Sequence, residues 1–136
     1  MCQDSKLEMM NMKTTDKPKI QKFHLKGVKH ILPEDAQEAI INKEAVMVDV
    51  RNDYEVKAAH IADSLFLPMW NLQELMMGLP RDKNVILLCN EGINSTHIAH
   101  FMAGQGFNNL TNLDGGITAW KERNLPYVAF KKPKQP

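Results

Sequence analysis

The sequence predicts an α/β fold: a five-stranded parallel sheet flanked by helices on both faces. Two observations predict it. Short apolar runs of strand length alternate with stretches whose apolar residues recur at helical spacing. The connections between runs are long enough for crossover helices, which join parallel strands and cover both faces of one sheet. No internal repeat or low-complexity segment interrupts the alternation.

Residues 1–21 are polar and lysine-rich without clear periodicity, so they are expected to form a flexible or loosely docked tail. The domain is expected over 22–128. Phe23-His24-Leu25 alternates weakly, as an edge strand would, and Val28 to Leu32 reads as the first true strand. Pro33 suits the first position of a helix, with Glu34 and Asp35 at its positive end and Ala36, Ala39 and Ile40 as its apolar stripe. Ala45 to Val50 reads as a central strand, apolar on both faces. Asn52 is placed to cap a short helix through Val56, and Leu65-Phe66-Leu67 is a short strand stopped by Pro68. Asn71 and Glu74 read as a capping pair for a helix that Gly78 ends.

Val85 to Leu88 is the most apolar strand, and a loop with a central glycine follows it. Ile98, Phe101 and Met102 then recur at helical spacing, with Ser95 as the expected N-cap. Leu110 to Leu113 is the last strand, and Gly115-Gly116 turns into a short helix carrying Trp120. Residues 129–136 form a basic tail.

Composition bounds the function. A net charge of +1 gives no reason to expect nucleic acid or an anionic membrane as partner. No apolar run approaches the length of a membrane span, and no signal-peptide core follows Met1. The two cysteines, Cys2 and Cys89, lie too far apart in the chain to suggest a disulfide framework. A reducing, cytoplasmic compartment is therefore expected.

The chemistry is expected in the loop Cys89-Asn90-Glu91-Gly92-Ile93-Asn94-Ser95. Cys89 stands where a strand ends and a helix begins. Loops of this kind turn successive backbone N–H groups into a small concavity, and the helix adds its positive end. A free thiol, with a pKa of about 8.5, is only about 3% ionised at neutral pH. One or two charge-assisted hydrogen bonds suffice to change that balance. Cys89 is thus the candidate nucleophile, and the bland alternative is a buried cysteine acting as a small hydrophobe.

Several stretches together resemble the rhodanese-like domain family. Asp49-Val50-Arg51 with Glu55, His60-Ile61 followed by Leu67-Pro68, the Cys89 loop with Gly92 and Ser95, Gly106-Phe107, and Leu113-Asp114-Gly115-Gly116-Ile117 with Trp120 carry the resemblance. Each motif is short; their order and spacing over residues 28–128 are what match. The resemblance implies a five-stranded parallel sheet and sulfur transfer. The cysteine thiolate takes a sulfane sulfur from thiosulfate or a protein persulfide, becomes a persulfide, and passes the sulfur to a thiol or cyanide. No cofactor and no metal are expected.

Three departures from the family pattern matter. Many family loops carry arginine directly after the cysteine and just before the serine, where this chain has Asn90 and Asn94. Glu91 adds a negative charge. At about 6 Å a carboxylate costs a thiolate about 0.7 kcal/mol through water and about 3 kcal/mol at an effective dielectric of 20. Glu91 is expected to face solvent, near the lower figure. A doubly anionic donor should therefore bind weakly, which keeps a second reading open: a persulfide carrier or protein-interaction module with little small-molecule turnover. Ser95 occupies the place of the arginine that phosphatases of related fold use to clamp phosphate, which argues against that chemistry. In the turn Ala59 to Ser64 the family's usual glycines and proline are missing.

Other candidates have plainer readings. Asp49 and Arg51 are expected to form an ion pair or backbone-bonding network beside the sheet rather than to act in catalysis. Trp70 either lines the site or packs at its rim. His97 and His100 share a helix face at i, i+3, but no third ligand has matching spacing. A third possibility is a regulatory domain whose cysteine is unused.

Overall fold

We describe the protein from a computed structural model, which covers residues 12–130 and 132–134. The main sheet has five parallel strands: β1 (His30–Ile31), β2 (Ala45–Asp49), β4 (Leu65–Phe66), β5 (Asn84–Leu88) and β6 (Leu110–Leu113), in the order β1-β6-β5-β2-β4. A second sheet pairs two short antiparallel strands, β3 (Ala59–His60) and β7 (Val128–Ala129). The helices are α1 (Pro33–Ile41), α2 (Asp53–Ala58), α3 (Leu72–Leu75), α4 (Ile93–Gly104) and α5 (Gly116–Glu122).

Strand β5 lies at the centre, fully buried, and its alternation sorts the core into two layers. Val85, Leu87 and Cys89 point to one face, where Ile98, Ala99 and Met102 of α4 and Met76 cover them. Ile86 and Leu88 point to the other, against Ala36 and Ala39 of α1 and Ile117 and Trp120 of α5. Trp120 is fully enclosed and its indole N–H donates to the Pro126 carbonyl at 2.9 Å. Cys89 therefore continues the face that packs on α4, so its side chain rises toward the start of that helix.

Several expectations are corrected. The first strand is shorter than Val28 to Leu32, and 23–25 forms no strand. The expected tail, 1–21, lies outside the described residues over 1–11. From Met12 onward it packs on the domain: Met12 is buried, and Thr15 exchanges two 2.8 Å backbone hydrogen bonds with His30. Three amides of Lys19, Ile20 and Gln21 converge on the Asp114 carboxylate at 2.5, 3.0 and 2.9 Å, which is what fastens this polar stretch. The basic segment expected at 129–136 also engages the fold over its described residues. Val128–Ala129 is a strand, and the Phe66 amide donates to the Lys134 carbonyl at 2.7 Å, while the Lys134 ammonium pairs with Asp63 at 2.8 Å. Asn71 makes no side-chain cap on the single turn of α3, and tight 3-10 turns flank that helix on both sides. By contrast, Glu55 does close back on the Asn52 amide at 3.2 Å, as a capping pair requires.

Candidate active site

The site forms where β5 ends and α4 begins, at the carboxyl edge of the sheet, the place where open parallel sheets gather their chemistry. Helix α4 starts at Ile93, three residues earlier than a Ser95 cap would allow, and its N-cap is Gly92 at φ +91°. The early start has a physical cause. Only glycine takes that backbone conformation readily, and a Cβ there would overlap the side-chain amide of Gln21. Ser95 consequently sits inside the first turn, with both its amide and its hydroxyl facing Cys89.

The Cys89 Sγ accepts the Gly92 N–H at 3.2 Å and the Ser95 N–H at 3.3 Å, and lies 3.2 Å from the Ser95 Oγ. Cys89 is 5% exposed, while Asn90, Glu91, Ile93 and Asn94 ring it in solvent. The sulfur thus sits at the floor of a small cup whose wall is the loop backbone. Helix α5 holds the cup from the far side. The amides of Ile117 and Thr118 donate to the carbonyls of Cys89 and Asn90 at 2.9 and 3.0 Å. Gly116, at φ +64°, permits this approach, because a Cβ there would strike both carbonyls.

Asp49 and Arg51 form a buried, two-pronged ion pair, with Arg51 Nε to Asp49 Oδ1 at 3.0 Å and Nη2 to Oδ2 at 2.9 Å. Burial pushes the Asp49 carboxyl upward, and the hydrogen bonds and charge of Arg51 draw it back without reversing the shift. The same guanidinium donates to the Ala59 carbonyl at 2.6 Å and reaches the Asn90 Oδ1 at 3.5 Å. Asn90 in turn donates to Glu55 at 2.6 Å. The pair therefore braces the first loop residue after the cysteine.

Trp70 is 75% exposed. With Met69, Phe101, His97 and Asn94 it lines an open cavity of roughly 720 Å³ beside the loop. Asn94 is the residue shared by loop and cavity. Among the described residues no three His, Cys, Asp or Glu side chains gather as a metal site. No helix among them is long and apolar enough to cross a membrane.

Sequence reasoning did not anticipate the layer beneath the loop. Gln21 donates from its Nε2 to the Gly92 carbonyl at 3.1 Å and the Phe23 carbonyl at 3.0 Å, and its Oε1 accepts the Gly115 N–H at 2.9 Å. Asn112 of β6 donates to the Gln21 Oε1 at 3.0 Å and accepts the Ser95 hydroxyl at 2.5 Å. Behind it, His30 is fully buried, contacts Asn112 through Nδ1 at 3.1 Å and His24 through Nε2 at 3.0 Å. Desolvation lowers the His30 pKa below its ordinary value, against a partial pull upward from Asp114. One signal existed in the sequence: Asn112 is an amide in a strand whose neighbours are buried.

Fold and site together define a class: a five-stranded parallel sheet presenting a cysteine among main-chain N–H groups at the start of a helix. The comparisons with known proteins agree. The rhodanese-like domain profile matches residues 32–123. A sulfurtransferase of Allochromatium vinosum is 34% identical over 87 residues, covering 64% of this chain and 81% of that protein. The thiosulfate sulfurtransferase GlpE of Vibrio cholerae is 32% identical over 100 residues, covering 74% and 94%. A rhodanese-related protein of Thermoplasma volcanium, known as a crystal structure, superposes with a TM-score of 0.66 at 31% identity, covering 75% and 98%. The chain belongs to the rhodanese-like domain family, and its named relatives are sulfurtransferases.

Proposed function

We propose that the protein is a rhodanese-type sulfurtransferase that moves a sulfane sulfur from a donor to a thiophilic acceptor through a persulfide on Cys89. The observation that carries this reading is the pair of backbone N–H groups, from Gly92 and Ser95, aimed at one sulfur. Donors fixed in this way stabilise negative charge on sulfur without reorganising during the reaction.

With thiosulfate as donor, the Cys89 thiolate attacks the outer sulfur. The S–S bond of thiosulfate breaks, its electron pair leaves with sulfite, and Cys89 becomes a persulfide anion. Cyanide or a thiolate then attacks the terminal sulfur, the new S–S bond breaks toward Cys89, and the thiolate returns. Charge balances in each displacement, and the sulfane sulfur carries its own oxidation level from donor to acceptor, so no external oxidant or reductant is consumed.

The loop also favours one kind of donor. Asn90 and Asn94 stand exposed at its mouth, and the nearby guanidinium, Arg51, is already committed to Asp49. A dianion receives little charge compensation there, so a neutral or protein-borne persulfide is the better donor. The exposed Trp70 and Met69 beside Asn94 support a second reading on the same cysteine, a persulfide carrier that docks a protein partner.

The test is sulfur transfer to cyanide from thiosulfate and from a persulfide donor, with Cys89→Ser alongside. Loss of transfer in the variant, and a mass increase of about 32 Da on Cys89 in the loaded wild type, are expected. Transfer undiminished in Cys89→Ser would remove the mechanism.

A further inference from the structure

The hydrogen bonds under the loop have a definite direction, which can be worked out from their fixed ends. The Gly115 N–H can only donate, so the atom of Gln21 that meets it is the carbonyl oxygen. The Phe23 and Gly92 carbonyls can only accept, so the other end of Gln21 is its amino group. The Gln21 side chain is thereby locked. Its oxygen also meets Asn112, so the Asn112 atom there is the amino nitrogen, and the opposite atom, the carbonyl oxygen, faces Ser95. The Ser95 hydroxyl has one proton. It is spent on Asn112, at 2.5 Å. The same logic reaches His30. Its Nδ1 faces the Asn112 amino group and must be unprotonated, which places its proton on Nε2, toward His24.

We propose that Gln21, held over the domain by Asp114, sets the polarity of the Gln21–Asn112–Ser95 chain so that the Ser95 hydroxyl offers Cys89 a lone pair rather than a proton. This rests on Cys89 being the reacting thiol. Ser95 and Gln21 are then positioning residues with opposite effects in one turn of helix. The Ser95 amide favours charge on the sulfur, while its hydroxyl favours the protonated thiol. Of the charged groups nearby, Arg51 and Glu55 act on Asn90, and Asp114 is occupied by the amides of Lys19, Ile20 and Gln21. Neither His30 nor His24 reaches the sulfur directly, and a proton arriving on His30 Nδ1 would oppose the Asn112 amino group. Gln21 lies outside residues 32–123, the span matched by the family profile.

The experiment is the rate of Cys89 alkylation by iodoacetamide across pH, in the full chain, with no sulfur donor present. Removing one acceptor hydrogen bond of about 1 kcal/mol makes Ser95→Ala about fivefold faster on the low-pH limb, with the high-pH plateau unchanged. Gln21→Met frees Asn112 to turn and releases the Ser95 proton toward sulfur, so it moves the profile in the same direction. The double variant gains nothing beyond Ser95→Ala, because both act through one hydroxyl. Should Ser95→Ala not fold, Gln21→Met and its double with Ser95→Gly carry the same test. A slower low-pH limb in Ser95→Ala, or an unshifted profile, would overturn the proposal. A rise at every pH, plateau included, would overturn it too, since that is the mark of mere exposure. Sulfur-transfer assays fail or succeed independently of this readout.

Discussion

Asp114→Asn is the substitution that most directly tests how the segment before the domain shapes the site. The carboxylate is buried and accepts three backbone N–H groups, from Lys19, Ile20 and Gln21. A hydrogen bond to a charged group is worth about 1.5–3 kcal/mol net, so three would sum to more than the segment can return. The cost is capped by the free energy of docking, because a detached segment hydrates its own amides. Asparagine keeps the volume, removes the charge and turns an amino group toward at least one of the three donors. The expected loss is about 2–3 kcal/mol of unfolding free energy, or roughly 10 °C in Tm for a chain of this size. Denaturant titration measures the first quantity. Hydrogen exchange at Lys19 to Gln21 measures the local release, with protection falling by about a hundredfold. Unchanged exchange at those amides, or a stability loss under about 0.5 kcal/mol, would refute the reasoning.

Three further outcomes follow from the same geometry. Because the folded-state His30 pKa is lowered from 6.5, the unfolded chain takes up the proton first as pH falls; stability therefore declines below about pH 6.5, with a limiting slope of about 1.36 kcal/mol per unit, and His30→Gln flattens that part of a pH series of denaturant melts. Arg51→Met leaves the Asp49 carboxylate buried without its partner and is expected to cost about 3–5 kcal/mol. Since burial already raises the Asp49 pKa, that cost is largest at alkaline pH and shrinks as pH falls and protonation relieves the buried charge; a pH-independent loss would contradict the account. Glu91→Gln, at an exposed and salt-screened position, should change the KM for thiosulfate by less than about threefold, and a larger effect in steady-state kinetics would place the carboxylate closer to the donor than its exposure implies.

Much of the architecture was legible because it is written in periodicity. The apolar runs at 45–50, 85–88 and 110–113 became the middle strands of the main sheet, and Pro33, Asn52 and Gly116 mark helix starts as their chemistry requires. Cys89 could be picked out because a cysteine after a buried strand and before a helix has few bland explanations. What could not be read is the support around it. Apart from the Phe23 carbonyl, Gln21 bonds with residues 71 to 94 positions away, and Asp114 fastens amides equally remote in sequence. Long-range polar contacts leave no period in a chain. The Ser95 cap failed for a related reason: local preference favoured a serine, but the glycine at 92, pressed against Gln21, decided where the helix begins.

The two margins of the main sheet are β1 and β4, and each would expose a row of unpaired peptide groups. Neither margin stands open along its length. Thr15 bridges antiparallel to His30 on one side, and Lys134 bridges parallel to Leu65 on the other, placing a charged side chain at that rim. The flanking segments thus act as seals against strand-to-strand stacking between copies. Trimming both flanking segments away would turn the two borders into sticky templates and take Gln21 from beneath the Cys89 loop, so such a truncation would forfeit solubility together with the support of the cup.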